Sequence, residues 1–89
     1  MIRVMLCDDH AFVRRGIRDM LSEAVDIQVT AETASYSEVR EALRTQACDV
    51  LVLDLNLPGR GGIEVLESLR DLNLPLKVLV VSMYPEDQY

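Results

Sequence analysis

Short apolar runs and helical apolar spacings alternate along the chain, and the first two blocks set the pattern. Ile2–Cys7 is a mostly apolar run that includes Ile and Val, which predicts a first strand. From residue 11 to about residue 24, apolar residues instead recur every three or four positions, at Val13, Ile17, Met20, Leu21 and Ala24. That spacing puts them on one face of a helix, so we expect a helix after the first strand.

The same two kinds of block continue through the middle of the chain. Residues 27–34 alternate between apolar and polar positions and are rich in β-branched residues, which predicts a second strand. Ser37 is a suitable N-cap for a second helix that carries Val39, Ala42 and Leu43. The stretch "DVLVLDL" is apolar throughout Val50–Leu53, which is typical of a strand buried on both faces.

Glycine and proline mark the next boundary, in the stretch "NLPGRGG". The third helix that follows has a predicted inner stripe of Ile63, Leu66 and Leu69, and "LPLKVLVVSM" predicts a fourth strand. Such alternation with short connections favours right-handed βαβ units and a parallel sheet with helices on both faces. The expected fold is one α/β domain, a flavodoxin-like doubly wound sheet in strand order 2-1-3-4. In such sheets ligands bind beyond the carboxyl ends of the strands.

Size and charge narrow the possible functions. The 89 residues suit one domain, and the formal net charge of −6 excludes unaided binding to DNA, which is itself densely negative. The apolar runs are too short for a membrane span, and the N-terminus lacks a signal-peptide pattern, so we expect a cytoplasmic protein. Cys7 and Cys48 have no CxxC spacing. They fall at opposite ends of the predicted sheet, so we expect two free thiols.

Acidic residues follow the predicted strands where each strand ends. Asp8 and Asp9 come directly after the first strand, Asp54 ends the third, and Ser82 ends the fourth. Because the carboxyl ends of parallel strands share one edge of a sheet, we expect three carboxylates and a hydroxyl to meet there. Such clustering costs several kcal/mol of repulsion and desolvation unless a cation compensates. Oxygen ligands of high negative charge suit Mg²⁺, and a carboxylate beside Mg²⁺ is a plausible phosphoryl acceptor.

Each of these residues also has a simpler interpretation when it is taken alone. Asp9 is a good N-cap for the first helix, and an Asp in the position of Asp54 commonly serves in a turn. His10 is interpreted as a solvated residue at the start of the first helix, because a zinc site would want more nitrogen or sulfur ligands. The arginines of the first helix are interpreted as its solvent-exposed face: Arg14, Arg15 and Arg18.

Three motifs together resemble the receiver domain of bacterial two-component response regulators: "VMLCDDH", "VLVLDLNLPGRGG" and "VLVVSMY". The resemblance covers the whole chain and is strongest to the subfamily with a C-terminal helix-turn-helix. It implies a signalling domain that is not an enzyme but assists its own phosphoryl transfer. It also implies that Asp54 accepts a phosphoryl group from a histidine kinase.

The resemblance also implies roles for the residues around Asp54. Asp9, Asp54 and the main-chain carbonyl of Asn56 would bind Mg²⁺ directly, and Asp8 would act mainly through water. Ser82 would contact the phosphoryl group, and the backbone N–H groups of Leu55 and Met83 would hold its oxygens.

The chain departs from the family pattern at its C-terminal end. The family has a fifth strand that carries a lysine, whereas this sequence ends at Tyr89. We therefore expect residues 1–89 to be the N-terminal portion of a receiver domain, with no output domain in this chain. Transcription control would then need an output domain outside it. The "VLVV" edge of the fourth strand would invite self-association.

Two other functions are compatible with parts of the pattern. A non-phosphorylated pseudo-receiver would keep the fold as an interaction module, but the presence of Asp8, Asp9, Asp54 and Ser82 argues against it. A hydrolase with an Asp nucleophile would want a second Asp two residues further on, and His10 stands at that offset from Asp8.

Overall fold

Strands and helices alternate along the chain in the order that the hydrophobic pattern predicts. The computed structural model describes residues 1–54, 62–72 and 75–81. Within those residues the strands are β1 (Ile2–Cys7), β2 (Ile27–Thr33), β3 (Val50–Asp54) and β4 (Lys77–Val81). The helices are α1 (Ala11–Ser22), α2 (Tyr36–Thr45) and α3 (Gly62–Asp71).

The four strands form one parallel sheet in the order β2-β1-β3-β4, which confirms the predicted flavodoxin-like topology. Cys7 pairs with Thr33 on one side and with Leu53 on the other, and Asp54 pairs with Val81. The carboxyl ends of all four strands therefore meet at one edge. The order reverses between β1 and β3, and the crevice outside that point is where doubly wound sheets bind ligands.

Alternate residues of β1 and β3 supply two hydrophobic clusters, one on each face of the sheet. Residues of β1 and β3 pack with α2 and α3 on one face, in a cluster of Met5, Cys7, Val39, Leu43, Leu51, Leu53, Val65 and Leu69. On the other face a smaller cluster of Val4, Leu6 and Val52 packs against Ile17 and Leu21 of α1. The prediction that β3 is buried on both faces is confirmed.

The apolar stripes of two helices are rotated from their predicted positions. In α1, Ile17 and Leu21 contact the sheet, whereas Met20 is 68% exposed. Met20 lies about 100° around the helix from Leu21, beyond the face that meets the sheet. In α3, Val65 and Leu69 are buried and Leu66 only partly so. The side chain of Ile63 lies outside the described residues.

The cap of α2 is Ser35, so the prediction of Ser37 is wrong. Ser35 has extended backbone angles, φ −148° and ψ 163°, and its hydroxyl accepts a hydrogen bond from the Glu38 N–H at 3.3 Å. The Glu38 carboxylate in turn accepts from the Ala34 N–H at 2.9 Å and from the Ser35 hydroxyl at 3.1 Å. This reciprocal arrangement is close to a capping box, whose Ser-x-x-Glu spacing is present in the sequence.

Both cysteines are free thiols, as predicted. Burial raises the pKa of the Cys7 thiol to about 11, so Cys7 behaves as a small apolar residue of the core. Among the described residues, no helix combines the length and apolar character that crossing a membrane requires.

Candidate metal centre

Three carboxylates and one imidazole converge at the carboxyl edge of the sheet. One ligand atom from each of Asp8, Asp9, His10 and Asp54 lies within 4.8 Å of those of the other three. The segment after β1 carries Asp8, Asp9 and His10, and the last residue of β3 is Asp54. The predicted meeting of the three acids is confirmed.

Asp8 is 3% exposed and is held by the backbone on both sides. Its N–H donates to the Thr33 carbonyl at 3.0 Å, and its Oδ1 accepts from the His10 N–H at 2.7 Å. Its other oxygen, Oδ2, is buried and has no hydrogen-bond partner among the described residues. Leaving a buried acceptor unpartnered costs about 1–3 kcal/mol, so a cation bound at this position would offset that cost.

Asp54 is 1% exposed and ends the strand at the centre of the switch point. Its Oδ2 lies 3.7 Å from the Nδ1 of His10. The interpretation of Asp54 as an ordinary turn residue does not account for this burial. A carboxylate is retained in a buried position only when other groups compensate its charge.

His10 is a solvated residue at the start of α1, as predicted, but its imidazole also lies against the acids. Its side chain is 49% exposed, but Nδ1 lies 3.1 Å from Asp9 Oδ1 and 3.2 Å from Asp8 Oδ1. The hydrogen bond with Asp8 and the charge of Asp9 raise the pKa of His10 above its usual value, despite some loss of solvation. The sequence could have predicted this contact, because the chain's one histidine directly follows the acid pair Asp8 and Asp9.

His10 also replaces Asp9 as the residue that begins α1. It is the N-cap, with φ −94° and ψ 100°, and its side chain makes no capping hydrogen bond. The interpretation of Asp9 as the cap is therefore wrong. The side chain of Asp9 is 31% exposed and pairs with the imidazole instead.

Arg14 fixes the course of the chain after β1, a role that the sequence did not reveal. Its Nη1 donates to the Asp8 carbonyl at 2.6 Å, and its Nε lies 3.6 Å from Glu32 Oε1. Arg18 pairs with the other oxygen of Glu32 at 3.1 Å. Arg15 is exposed and the Arg18 side chain is 40% exposed, as the interpretation of a solvent-exposed face expects. Arg14 and Arg18 also pair with Glu32 of β2, which that interpretation did not include.

The remaining predicted site residues lie outside the described residues: Leu55, Asn56, Ser82 and Met83. Ser82 follows Val81 in the sequence, and Val81 pairs with Asp54 in register.

The donor set fits a divalent cation. Carboxylate oxygens are hard ligands, and three carboxylates of like charge have ligand atoms within 4.8 Å of one another. Among the described residues, the buried Oδ2 of Asp8 has no hydrogen-bond donor. A half-exposed rim at Asp9 and His10 leaves the cluster open to solvent on one side.

The family model described as the response regulator receiver domain matches residues 4–89. Response regulator UvrY of Escherichia coli K12 is 33% identical over 87 residues, 98% of this chain and 40% of that protein. The DNA-binding transcriptional activator DevR/DosR of Mycobacterium tuberculosis is 35% identical over 88 residues, 99% of this chain and 41% of that protein. The chain thus spans about 40% of the length of these curated relatives.

A solved structure supports the same relationship. The structure of a signal receiver domain from Mycobacterium tuberculosis superposes with a TM-score of 0.85 at 31% identity. The match covers 98% of this chain and 70% of that one.

Proposed function

The chain belongs to the response regulator receiver domain family, and we propose that it is a two-component signalling switch that accepts a phosphoryl group on Asp54. The observation that carries this proposal is the burial of Asp54 beside Asp8 and Asp9 at the switch point of the sheet. A carboxylate there can attack a phosphorus that enters from the open rim.

The transfer needs little beyond positioning and charge neutralisation. An oxygen of Asp54 attacks the phosphorus of a phosphohistidine on the kinase. The phosphorus–nitrogen bond breaks and its electron pair stays on the kinase's imidazole, which then takes up a proton. Asp54 becomes an acyl phosphate.

We propose that the cation at this site is Mg²⁺, held directly by Asp9, Asp54 and the carbonyl of Asn56, with Asp8 acting through water. When bound, Mg²⁺ supplies positive charge against the carboxylates and the incoming phosphoryl oxygens. The unpartnered Oδ2 of Asp8 supports this proposal, because a metal-bound water can donate to it.

Ser82 and the N–H groups of Leu55 and Met83 are proposed to hold the phosphoryl oxygens. The resemblance of "VLVVSMY" to the family motif supports these roles, as does the pairing of Val81 with Asp54. That register brings the end of β4 beside the acceptor.

We further propose that a longer parent protein converts phosphorylation into transcription control through an output domain outside residues 1–89. The relative DevR/DosR is described as a DNA-binding transcriptional activator, which supports this role. The net charge of −6 disfavours DNA contacts by this chain itself.

Intact mass after incubation with a small phosphodonor and Mg²⁺ tests the proposal, on this chain and on its parent. We expect one phosphoryl group to be added, and to be removed by hydroxylamine. Asp54→Asn should abolish the addition, whereas Asp49→Asn, an acid at the opposite end of the sheet, should not. A hydroxylamine-sensitive phosphoryl group on the Asp54→Asn protein would refute the assignment. A parent protein that takes up none would instead favour the non-phosphorylated interaction module.

A further inference from the structure

The acid cluster contains a nitrogen donor that Mg²⁺ does not require. The Nδ1 of His10 lies 3.1 Å from Asp9 Oδ1, 3.2 Å from Asp8 Oδ1 and 3.7 Å from Asp54 Oδ2. The imidazole therefore faces all three carboxylates at once.

These separations match those between neighbouring ligands of one metal ion. Bonds of about 2.0–2.2 Å place adjacent ligand atoms about 2.8–3.1 Å apart in octahedral geometry and about 3.3–3.6 Å apart in tetrahedral geometry. The three distances from Nδ1 fall in or close to those ranges, so one ion can bind the imidazole and the carboxylates together after small shifts.

A second observation points to a ligand at the same place. The Oδ2 of Asp8 belongs to a side chain that is 5% exposed, and it has no hydrogen-bond partner among the described residues. The His10 imidazole lies beside Oδ1 of Asp8, so an ion pair with His10 alone does not supply a partner for Oδ2. A bound metal ion would supply one.

The element of each ligand atom indicates which metal ions the site suits. Imidazole nitrogen suits first-row transition metals such as Co²⁺ and Zn²⁺, whereas Mg²⁺ prefers oxygen. We propose that His10 is an additional ligand through Nδ1 when this centre holds a divalent transition metal such as Co²⁺ or Zn²⁺, which makes it a mixed nitrogen–oxygen site for such ions. The inference rests on the metal site of the proposed function and adds the ligand and the class of ion.

The rest of the described chain offers little competition for such an ion. His10 is the one histidine in the sequence, so a metal-bound imidazole signal has a single possible origin. Cys7 is buried with its pKa raised to about 11, which keeps it a neutral thiol. Cys48 lies at the other end of the sheet, and a Cys48→Ser background removes it as a secondary ligand.

Titration calorimetry with Co²⁺ and with Mg²⁺ tests the proposal, using the full chain, His10→Ala and His10→Asn. We expect either substitution to weaken Co²⁺ binding by about tenfold or more, while Mg²⁺ affinity changes by less than about threefold. Asn keeps a hydrogen-bonding side chain at the position, so a loss in both variants excludes a purely hydrogen-bonded role. Phe12→Ala is the matched control, since Phe12 is 89% exposed in the first turn of α1.

Proton NMR of the Co²⁺-loaded protein gives a readout independent of affinity. Ligation through Nδ1 leaves Nε2 protonated, so one strongly shifted, exchangeable imidazole resonance should appear and be absent in both His10 variants. Equal Co²⁺ affinity in all four proteins without that resonance would overturn the proposal while leaving the acid-only site of the proposed function intact. If Asp9→Asn also leaves both ions' affinities unchanged, the metal site itself is refuted.

Discussion

Two acidic residues at opposite ends of the sheet, Asp54 and Asp49, have contrasting electrostatic environments. Asp54 is buried among like charges, whereas Asp49 is partly exposed and held by a fork of donors from Arg3. The N–H and Nε of Arg3 donate to Asp49 Oδ2 at 2.8 and 3.0 Å, and Nη2 donates to Oδ1 at 3.1 Å. These bonds lower the pKa of Asp49 to about 2.

The Arg3–Asp49 pair makes stability depend on pH in acid. Because the folded-state pKa is below the unfolded value of about 3.9, the pair's contribution is fully present above about pH 4. It is lost as pH falls through about 2. We expect urea melts to show the protein more stable than Asp49→Asn at pH 6, with the difference vanishing near pH 2. A difference that stays constant across this window would contradict the assignment.

We expect the acid cluster to make the free energy of unfolding depend on Mg²⁺. Asp54→Asn removes one of three clustered charges, so it should raise the unfolding free energy of the metal-free protein by about 1 kcal/mol or more. Mg²⁺ should raise the melting temperature of the unsubstituted protein by mass action, and much less that of Asp54→Asn. Thermal melts in chelator and in Mg²⁺ measure both effects. Glu41→Gln, on an exposed part of α2, is the control that should respond to Mg²⁺ as the unsubstituted protein does.

At the scale of elements, the N-terminus of α2 is held by a side-chain cap. Its first turn is fixed by the Ser35 hydroxyl and the Glu38 carboxylate, which satisfy N–H groups that no helical carbonyl reaches. The helix in turn carries Val39 and Leu43 into the larger core cluster. Loosening the cap therefore loosens the cover of the sheet on that face.

Ser35→Ala should lower the unfolding free energy by about 1 kcal/mol, whereas Ser37→Ala should change it by less than about 0.5 kcal/mol. Ser37 is exposed and lies inside the helix, so its hydroxyl does not act as the cap. Denaturant melts of both variants decide between the two serines. Equal losses of unfolding free energy in the two variants would contradict the assignment of Ser35 as the cap.

At the scale of the whole molecule, the sheet is unevenly covered. β1 and β3 are buried on both faces, whereas Val78, Leu79 and Val80 of β4 are 36%, 57% and 40% exposed. Within the described residues β4 pairs with β3 alone. Such an apolar edge strand offers both hydrogen-bonding groups and hydrophobic surface to another chain.

We therefore expect the 89-residue chain to self-associate through β4. Leu79→Lys should shift the protein toward monomer in light scattering at high micromolar concentration. Met20→Lys, a similar change at a 68% exposed position on α1, should not. A soluble monomer before any substitution would rule the prediction out.

Much of the fold and the acid cluster is determined by local patterns in the sequence. The alternation of four strand-like runs with helical spacings was enough to predict a doubly wound parallel sheet in the order 2-1-3-4. Because parallel strands end at one edge, the meeting of Asp8, Asp9 and Asp54 followed from topology alone. No knowledge of side-chain positions was needed.

Only the tertiary structure decided which way the connecting residues turn. His10 faces the carboxylates because the chain bends into α1 there. Arg14 reaches Asp8 because it also pairs with Glu32 on the neighbouring strand β2. Val65 enters the core beside Leu69 of the predicted stripe because α3 is rotated on the sheet. Periodicity fixes which residues share a face, but contacts between distant segments fix where that face points.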